Sequence, residues 1–201
     1  MTVQSHWDEA YHGKAVDQRS WSSDAATSLR IIGQCQPRRS ASIVDVGGGA
    51  SPLAGQLVKQ GYENVTVLDV SQKALDEAYR VCDVGDRVRW ICADIRTWQP
   101  DFRFDVWHDR AVLHFLIDAA DRTRYLNTVH RLLNSRGLVV LAGFAEDGPG
   151  QCSGLPVRRA SHEDLIQMFG GEFKVVERFR EIHLTPWTSE QPFNWLVMQR
   201  R

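Results

Sequence analysis

The chain has 201 residues, 43% of them apolar, which is enough for one well-filled core and predicts a single domain over 1–201. Lys and Arg number 24 against 25 Asp and Glu, and no window carries one sign of charge, so no phosphate-backbone footprint is present and nucleic acid is not an expected partner. Cys35, Cys82, Cys92 and Cys152 stand apart without a C-x-x-C pair, which argues against a zinc site or a disulfide framework and for a reducing, cytoplasmic setting.

Along the chain, the opening "MTVQSHWDEAYHGK" lacks an apolar leader pattern, and no run approaches the ~20 apolar residues of a membrane span. A soluble protein is expected. Trp7, Tyr11 and Trp21 lie before the first strand pattern, so residues 1–35 read as an N-terminal cover segment and first helix. Short β-branched runs then recur at Ile43–Val46, Val65–Val70, Val88–Cys92, Phe104–Trp107 and Leu138–Ala142. Between them, apolar residues return every three or four positions over Leu53–Gln60, Ser71–Cys82 and Ala120–Leu133, with Gly61, Gly85 and Gly137 as stops. Such βαβ alternation predicts a mainly parallel, doubly wound α/β sheet with helices on both faces, and ligands at the carboxyl ends of its strands. Beyond residue 143 come a Gly/Pro-rich loop, "AEDGPGQCSGLP", a short helix opened by Ser161, and two more strand runs at Phe173–Leu184 and Phe193–Met198. Residues 40–143 therefore read as a binding core, and 144–201 as a substrate loop with a terminal hairpin.

"VDVGGGASP" places Gly47, Gly48 and Gly49 where the first strand turns into a helix, with Ser51 expected as N-cap and Pro52 as the first helical residue. Bare backbone there admits positive φ and close approach of a ligand, and the helix start favours an anion. A dinucleotide is disfavoured, because Gly47 and Gly49 fit the G-x-G-x-x-G pattern but Pro52 takes its third glycine position. Asp45, Asp69 and Asp94 each close or nearly close a strand, 24 and 25 residues apart. An acid at the second strand's end can accept both ribose hydroxyls of NAD or of S-adenosylmethionine. Asp94 with Ile95 offers an acceptor for an adenine amine and an apolar surface for the ring, with Val70 on its other face. One such Asp could merely cap its helix; three in register point to a ligand.

On "VDVGGGAS", "VLDVS" and "CADI", the sequence resembles the class I S-adenosylmethionine-dependent methyltransferases. The resemblance implies S-adenosyl-L-methionine as cofactor and a seven-stranded sheet whose antiparallel last strand is inserted beside strand five. It also implies a methionine end held around Gly47, Gly48 and Gly49, a ribose on Asp69, and an adenine between Val70 and Asp94 with Ile95. Asp45 would steady the glycine turn or the methionine ammonium, and Trp21 would cover the cofactor. "WHDRAVLHFL", "GPGQCSGLPV" and "TPW" resemble compact bacterial members, with a weaker likeness to a lysine methyltransferase that modifies citrate synthase.

Methyl transfer needs an in-line, desolvated, deprotonated nucleophile, so the residues after strands four and five are the candidates for acceptor chemistry. His108 or His114 could take a proton, and Asp109 could orient the histidine or bind the cofactor's ammonium group. Trp7, Arg110, Phe144, Cys152 and Trp187 are the candidate acceptor-binding residues, with Cys152 as pocket wall because the reaction requires no enzyme nucleophile. "HDRA" stands where amino-methylating nucleic-acid and glutamine enzymes carry an Asn/Asp-Pro-Pro-Tyr signature. The expected activity is methylation of N, S or O on a small molecule, the alternative being methylation of protein lysine. A cofactor-binding module without turnover and an NAD-dependent oxidoreductase are the readings from other classes. No metal is implied, and monomer and homodimer stay equally open.

Overall fold

The computed structural model describes residues 2–12 and 25–201. Helices α1 (Val3–Ala10) and α2 (Ala26–Cys35) precede β1 (Ser42–Val46), α3 (Leu53–Lys59), β2 (Asn64–Asp69), α4 (Gln72–Cys82) and β3 (Val88–Cys92). There follow β4 (Phe104–Arg110), α5 (Ala119–Leu132), β5 (Leu133–Phe144), the two-residue strands β6 (Gln151–Cys152) and β7 (Leu155–Pro156), α6 (His162–Phe169), β8 (Phe173–Leu184) and β9 (Glu190–Arg200). Seven strands form one sheet in the order β3-β2-β1-β4-β5-β9-β8. Strands β1 to β5 are mutually parallel, and β9 runs antiparallel between β5 and β8, as the resemblance implies. No described helix is long and apolar enough to cross a membrane.

Strand order reverses between β1 and β4, where Asp45 pairs with His108 and Val46 with Asp109. Connections leave these two strands in opposite directions, so a crevice opens at their carboxyl ends. Strands β1, β2, β4 and the second half of β5 are buried on both faces, which is why they read as continuous apolar runs, whereas the edge strand β8 alternates half-buried with exposed positions. One core packs Ile31 and Ile32 of α2 and Leu53 and Leu57 of α3 on the sheet; the other packs Tyr125, Val129 and Leu132 of α5 with Leu165 and Phe169 of α6.

Several boundaries differ from the sequence reading for local reasons. Helix α3 begins at Leu53, because Pro52 takes the N-cap position at φ −74° and ψ −5°. Ser51 still serves the helix start, its Oγ accepting from the Leu53 N–H at 3.2 Å. Helix α4 ends at Cys82 as expected, but the stop is made by Asp83, which adopts the left-handed C-cap at φ 49°, rather than by Gly85. Strand β4 runs three residues past Trp107, because Ala111 at φ 74° makes the turn, its N–H donating to the Ala142 carbonyl at 2.7 Å. Ser161 opens α6 with a reciprocal capping box to Asp164.

A buried polar chain fixes the turn after β4. The Trp107 indole N–H donates to the Tyr125 hydroxyl at 2.9 Å, which donates to Asp109 Oδ2 at 2.6 Å. Asp109 also accepts from the Val112 N–H at 2.8 Å and the Leu113 N–H at 3.1 Å. Burial pushes the Asp109 carboxyl up to about 6, against the lowering pull of the Tyr125 hydroxyl and these N–H groups. Tyr125→Phe leaves the buried Trp107 N–H without an acceptor and Asp109 without its shortest donor, at a cost of about 1–3 kcal/mol. Thermal melts should show Tm lowered by roughly 2–10 °C. An unchanged Tm would mean that the chain does not stabilise the fold.

Candidate active site

The crevice at the β1/β4 switch point is a cleft of about 250 Å³. Its floor is the glycine turn, where Gly47 and Gly49 have φ of 66° and 44°. The Gly47 N–H donates to the Leu68 carbonyl of β2 at 2.6 Å. A Cβ on Gly47 would lie 2.0 Å from Val112 Cγ2, one on Gly48 2.6 Å from Asp45 Oδ2, and one on Gly49 2.2 Å from the Tyr11 hydroxyl oxygen. Neighbours from three different parts of the chain thus approach this turn to within a missing side chain. Gly47 and Gly48 line the cleft with Ala50, Ser51 and Pro52 at the start of α3.

Carboxylates stand along one wall. Asp69, 8% exposed, accepts from the Ser71 N–H at 2.8 Å, and burial raises its pKa to about 6 despite lowering by backbone N–H groups, with Asp45 adding to the rise. Val70, Asp94, Ile95 and Arg96 continue the wall. Asp94 does not stand open: the Arg96 Nε donates to both its oxygens, at 2.9 and 3.0 Å, and Arg96 Nη1 reaches Asp121 on α5 at 2.9 Å. Burial alone would raise the Asp94 pKa, but hydrogen bonds from Arg96 outweigh it and hold the carboxyl below its ordinary range.

Below the glycine turn, His108 is 3% exposed and engaged at both ring nitrogens. Nδ1 lies 2.7 Å from Asp45 Oδ1 and Nε2 lies 2.9 Å from Ser28 Oγ on α2. All three residues border the cleft.

Helix α1 roofs the far end. Trp7 packs edge-on against Phe115 with ring centroids 5.0 Å apart. Ser71 Oγ donates to Asp8 Oδ1 at 2.6 Å, and His6 Nε2 lies 3.1 Å from the Ser153 carbonyl in the β6–β7 hairpin. Val3, Trp7, Ala111, Val112, Phe115 and Leu155 make this end apolar, with Arg110 and Cys152 beside them.

The structure thus gathers Asp45, Gly47, Gly48, Asp69, Val70, Asp94, Ile95, His108, Trp7, Arg110 and Cys152 around one cleft, with Gly49 in its turn against Asp69. Asp109, His114 and Phe144 line instead a separate cavity of about 20 Å³ toward Leu165 and Met168. His114 is 5% exposed, neither ring nitrogen has a hydrogen-bond partner, and burial lowers its pKa to about 3. Trp187 is 56% exposed at the β8–β9 turn and does not reach the cleft. Trp21 lies outside the described residues. Sequence reasoning missed Ser28, which carries no motif, and Arg96, whose position two residues after Asp94 was the available signal.

These residues fit S-adenosylmethionine: a glycine turn that a Cβ would fill, a carboxylate at the second strand's end, and an acid with an apolar neighbour at the third. Among the described residues no group of His, Cys, Asp or Glu could hold a metal ion.

Residues 43–137 match the family model of the methyltransferase domain. No curated protein matches the sequence significantly, so the weaker likeness to a citrate synthase lysine methyltransferase finds no counterpart. Among solved structures, the Burkholderia thailandensis 1,6-didemethyltoxoflavin N1-methyltransferase with bound 1,6-didemethyltoxoflavin and S-adenosylhomocysteine is similar at 22% identity and a TM-score of 0.77, over 98% of this chain and 87% of that one. An S-adenosylmethionine-dependent methyltransferase from Anabaena variabilis is similar at 15% identity and a TM-score of 0.76, over 100% and 96%. A structure concerned with conversion of a disulfide bond into a thioacetal group during echinomycin biosynthesis is similar at 19% identity and 0.75, over 98% and 93%. The family match spans the strands and glycine turn that build the cleft, so residues 43–137 form a methyltransferase domain, and the fold around them is that of S-adenosylmethionine-dependent methyltransferases.

Proposed function

We propose that the protein methylates a nitrogen, sulfur or oxygen atom of a small molecule. The observation that carries this reading is the roofed, apolar end of the cleft, where α1 is tied to Ser71 on one side and to the β6–β7 hairpin on the other. A pocket closed in this way admits a compact, largely apolar acceptor more readily than an extended polypeptide. The toxoflavin-type and echinomycin proteins, both concerned with small molecules by their descriptions, support the same reading.

S-adenosylmethionine supplies an electrophilic methyl group on a sulfonium sulfur. Asp69 binds the ribose hydroxyls, Val70 and Ile95 hold the adenine, and Asp94 takes its amine while Arg96 fixes the carboxylate. Asp45 braces the glycine turn, and the backbone at Gly47, Gly48 and Gly49 takes the methionine end. Trp7, Arg110 and Cys152 border the acceptor. Asp109 acts from behind, holding the Val112 turn, and His114 and Phe144 back the acceptor end from the second cavity. Exclusion of water by α1 and the hairpin desolvates the nucleophile, and much of the rate enhancement comes from positioning.

Asp69→Ala should weaken S-adenosylhomocysteine binding on the order of 100-fold, the loss of two hydrogen bonds to a charged acceptor. Unaltered affinity in calorimetry would remove the ribose assignment. Because the ribose hydroxyls donate to the ionised carboxylate and the Asp69 pKa is raised to about 6, affinity should be constant above that pH and fall below it. The limiting slope is about tenfold per pH unit, and Asp69→Asn should lack it. Turnover with radiolabelled methyl donor across thiols, phenols, heteroaromatic amines and lysine peptides tests the acceptor class. Labelling of lysine peptides alone would overturn the small-molecule reading.

A further inference from the structure

We infer that Ser28, His108 and Asp45 form a proton relay that serves the methyl acceptor, with Ser28 as the group that meets it. The inference rests on the methyl-transfer reading above and adds to it a route for the proton. The three side chains come from α2, β4 and β1, are 2%, 3% and 3% exposed, and all border the cleft. They form an unbroken line from Asp45 Oδ1 through His108 Nδ1 at 2.7 Å and Nε2 to Ser28 Oγ at 2.9 Å.

Direction along this line follows from donor and acceptor capacity. An ionised carboxylate only accepts, so Nδ1 carries a hydrogen. In the neutral imidazole Nε2 is then the lone-pair nitrogen and takes the Ser28 hydroxyl hydrogen, leaving the serine oxygen's lone pairs for the cleft. A hydroxyl, a base and a base-orienting acid in hydrogen-bond reach is the arrangement that activates serine in acyl transfer. Methyl transfer leaves no acyl group to carry, so here the same arrangement moves a proton.

Atoms balance as follows. The acceptor's lone pair bonds to the methyl carbon while the carbon–sulfur bond breaks with its electron pair going to sulfur. The acceptor's proton passes to Ser28 Oγ, the serine's own proton passes to His108 Nε2, and the imidazolium is held against the Asp45 carboxylate. After the product leaves, the proton returns through Ser28 to water. Asp45 on β1 is the charged group in contact with His108, Asp109 and Arg110 follow it on β4, Asp69 at the end of β2 shares the cleft, and α2 contributes the Ser28 hydroxyl. His114 is no substitute, since it lies in the second cavity behind Phe115 and burial keeps it neutral.

Nitrogen-15 NMR of the histidine-labelled full chain between about pH 6 and 9 tests the direction without any acceptor. The imidazole whose Nε2 resonance shifts in Ser28→Ala should, in its neutral form, show a protonated Nδ1 and an unprotonated Nε2. A protonated Nε2 throughout this range would overturn the relay, because no lone pair would receive the proton. Turnover of a ring N–H acceptor from the panel supplies the functional arm. Ser28→Ala should lower kcat by about tenfold or more with the KM for S-adenosylmethionine unchanged, while Ser28→Thr restores kcat. A kcat unchanged in Ser28→Ala would reduce the trio to core structure. Failure of the wild-type protein to bind S-adenosylhomocysteine would instead sink the methyl-transfer reading, which the NMR arm does not depend on.

Discussion

No side chain fits at Gly47, Gly48 or Gly49, and the rest of the cleft is arranged around that constraint. Val112 closes on the first from the turn after β4, Asp45 on the second from β1, and Tyr11 on the third from α1. Two of the three also need positive φ, which glycine adopts without the steric cost that other residues carry. An added methyl group would therefore clash with a different neighbour at each position. The turn that could cradle the cofactor is also the point where the N-terminal helix, the central strand and the β4 turn converge.

What holds Val112 in place is the polar chain in the second core. Tyr125 on α5 anchors Asp109, and Asp109 takes the N–H groups of Val112 and Leu113. A carboxylate this buried destabilises the fold once ionised: its folded pKa of about 6 lies above the ordinary carboxylate value, so the cost appears as pH rises through that range. Its hydrogen bonds offset part of the cost and shape the β4 turn, where Ala111 also sits in the left-handed region. Such concessions are characteristic of places where geometry is set by function.

The architecture was legible because parallel strands buried on both faces leave unmistakable apolar runs, and because the strand-end acids recur at a βαβ spacing. The acceptor end was less so. "HDRAVLH" reads as one constellation, yet residues of a strand alternate faces. His108 therefore points toward α2 and the cleft while Asp109 points toward α5, and the turn at Ala111 carries His114 away into the second cavity. Ser28 was invisible for the opposite reason: an isolated serine in an amphipathic helix has no pattern, and its partner is 80 residues distant. Trp187 drew attention by its size and composition, but the long β8–β9 hairpin holds it at the exposed turn.

Asp94 shows how a strand-end acid can carry more than its motif suggests. The strand-end position places its carboxylate on the cleft wall, but Arg96 grips both oxygens and extends to Asp121 at the start of α5. A carboxylate has lone pairs beyond those a single guanidinium uses, so an adenine amine can still be accepted. The cation lowers the carboxyl pKa and restricts its rotation, so the acceptor stands ionised and oriented before any ligand arrives. Burial raises the pKa of Asp69, which has no such partner to offset it. The two acids thus differ in protonation behaviour because Asp69 is fully buried with only backbone N–H groups to offset the cost, whereas Asp94 is less buried and has a cation two residues away.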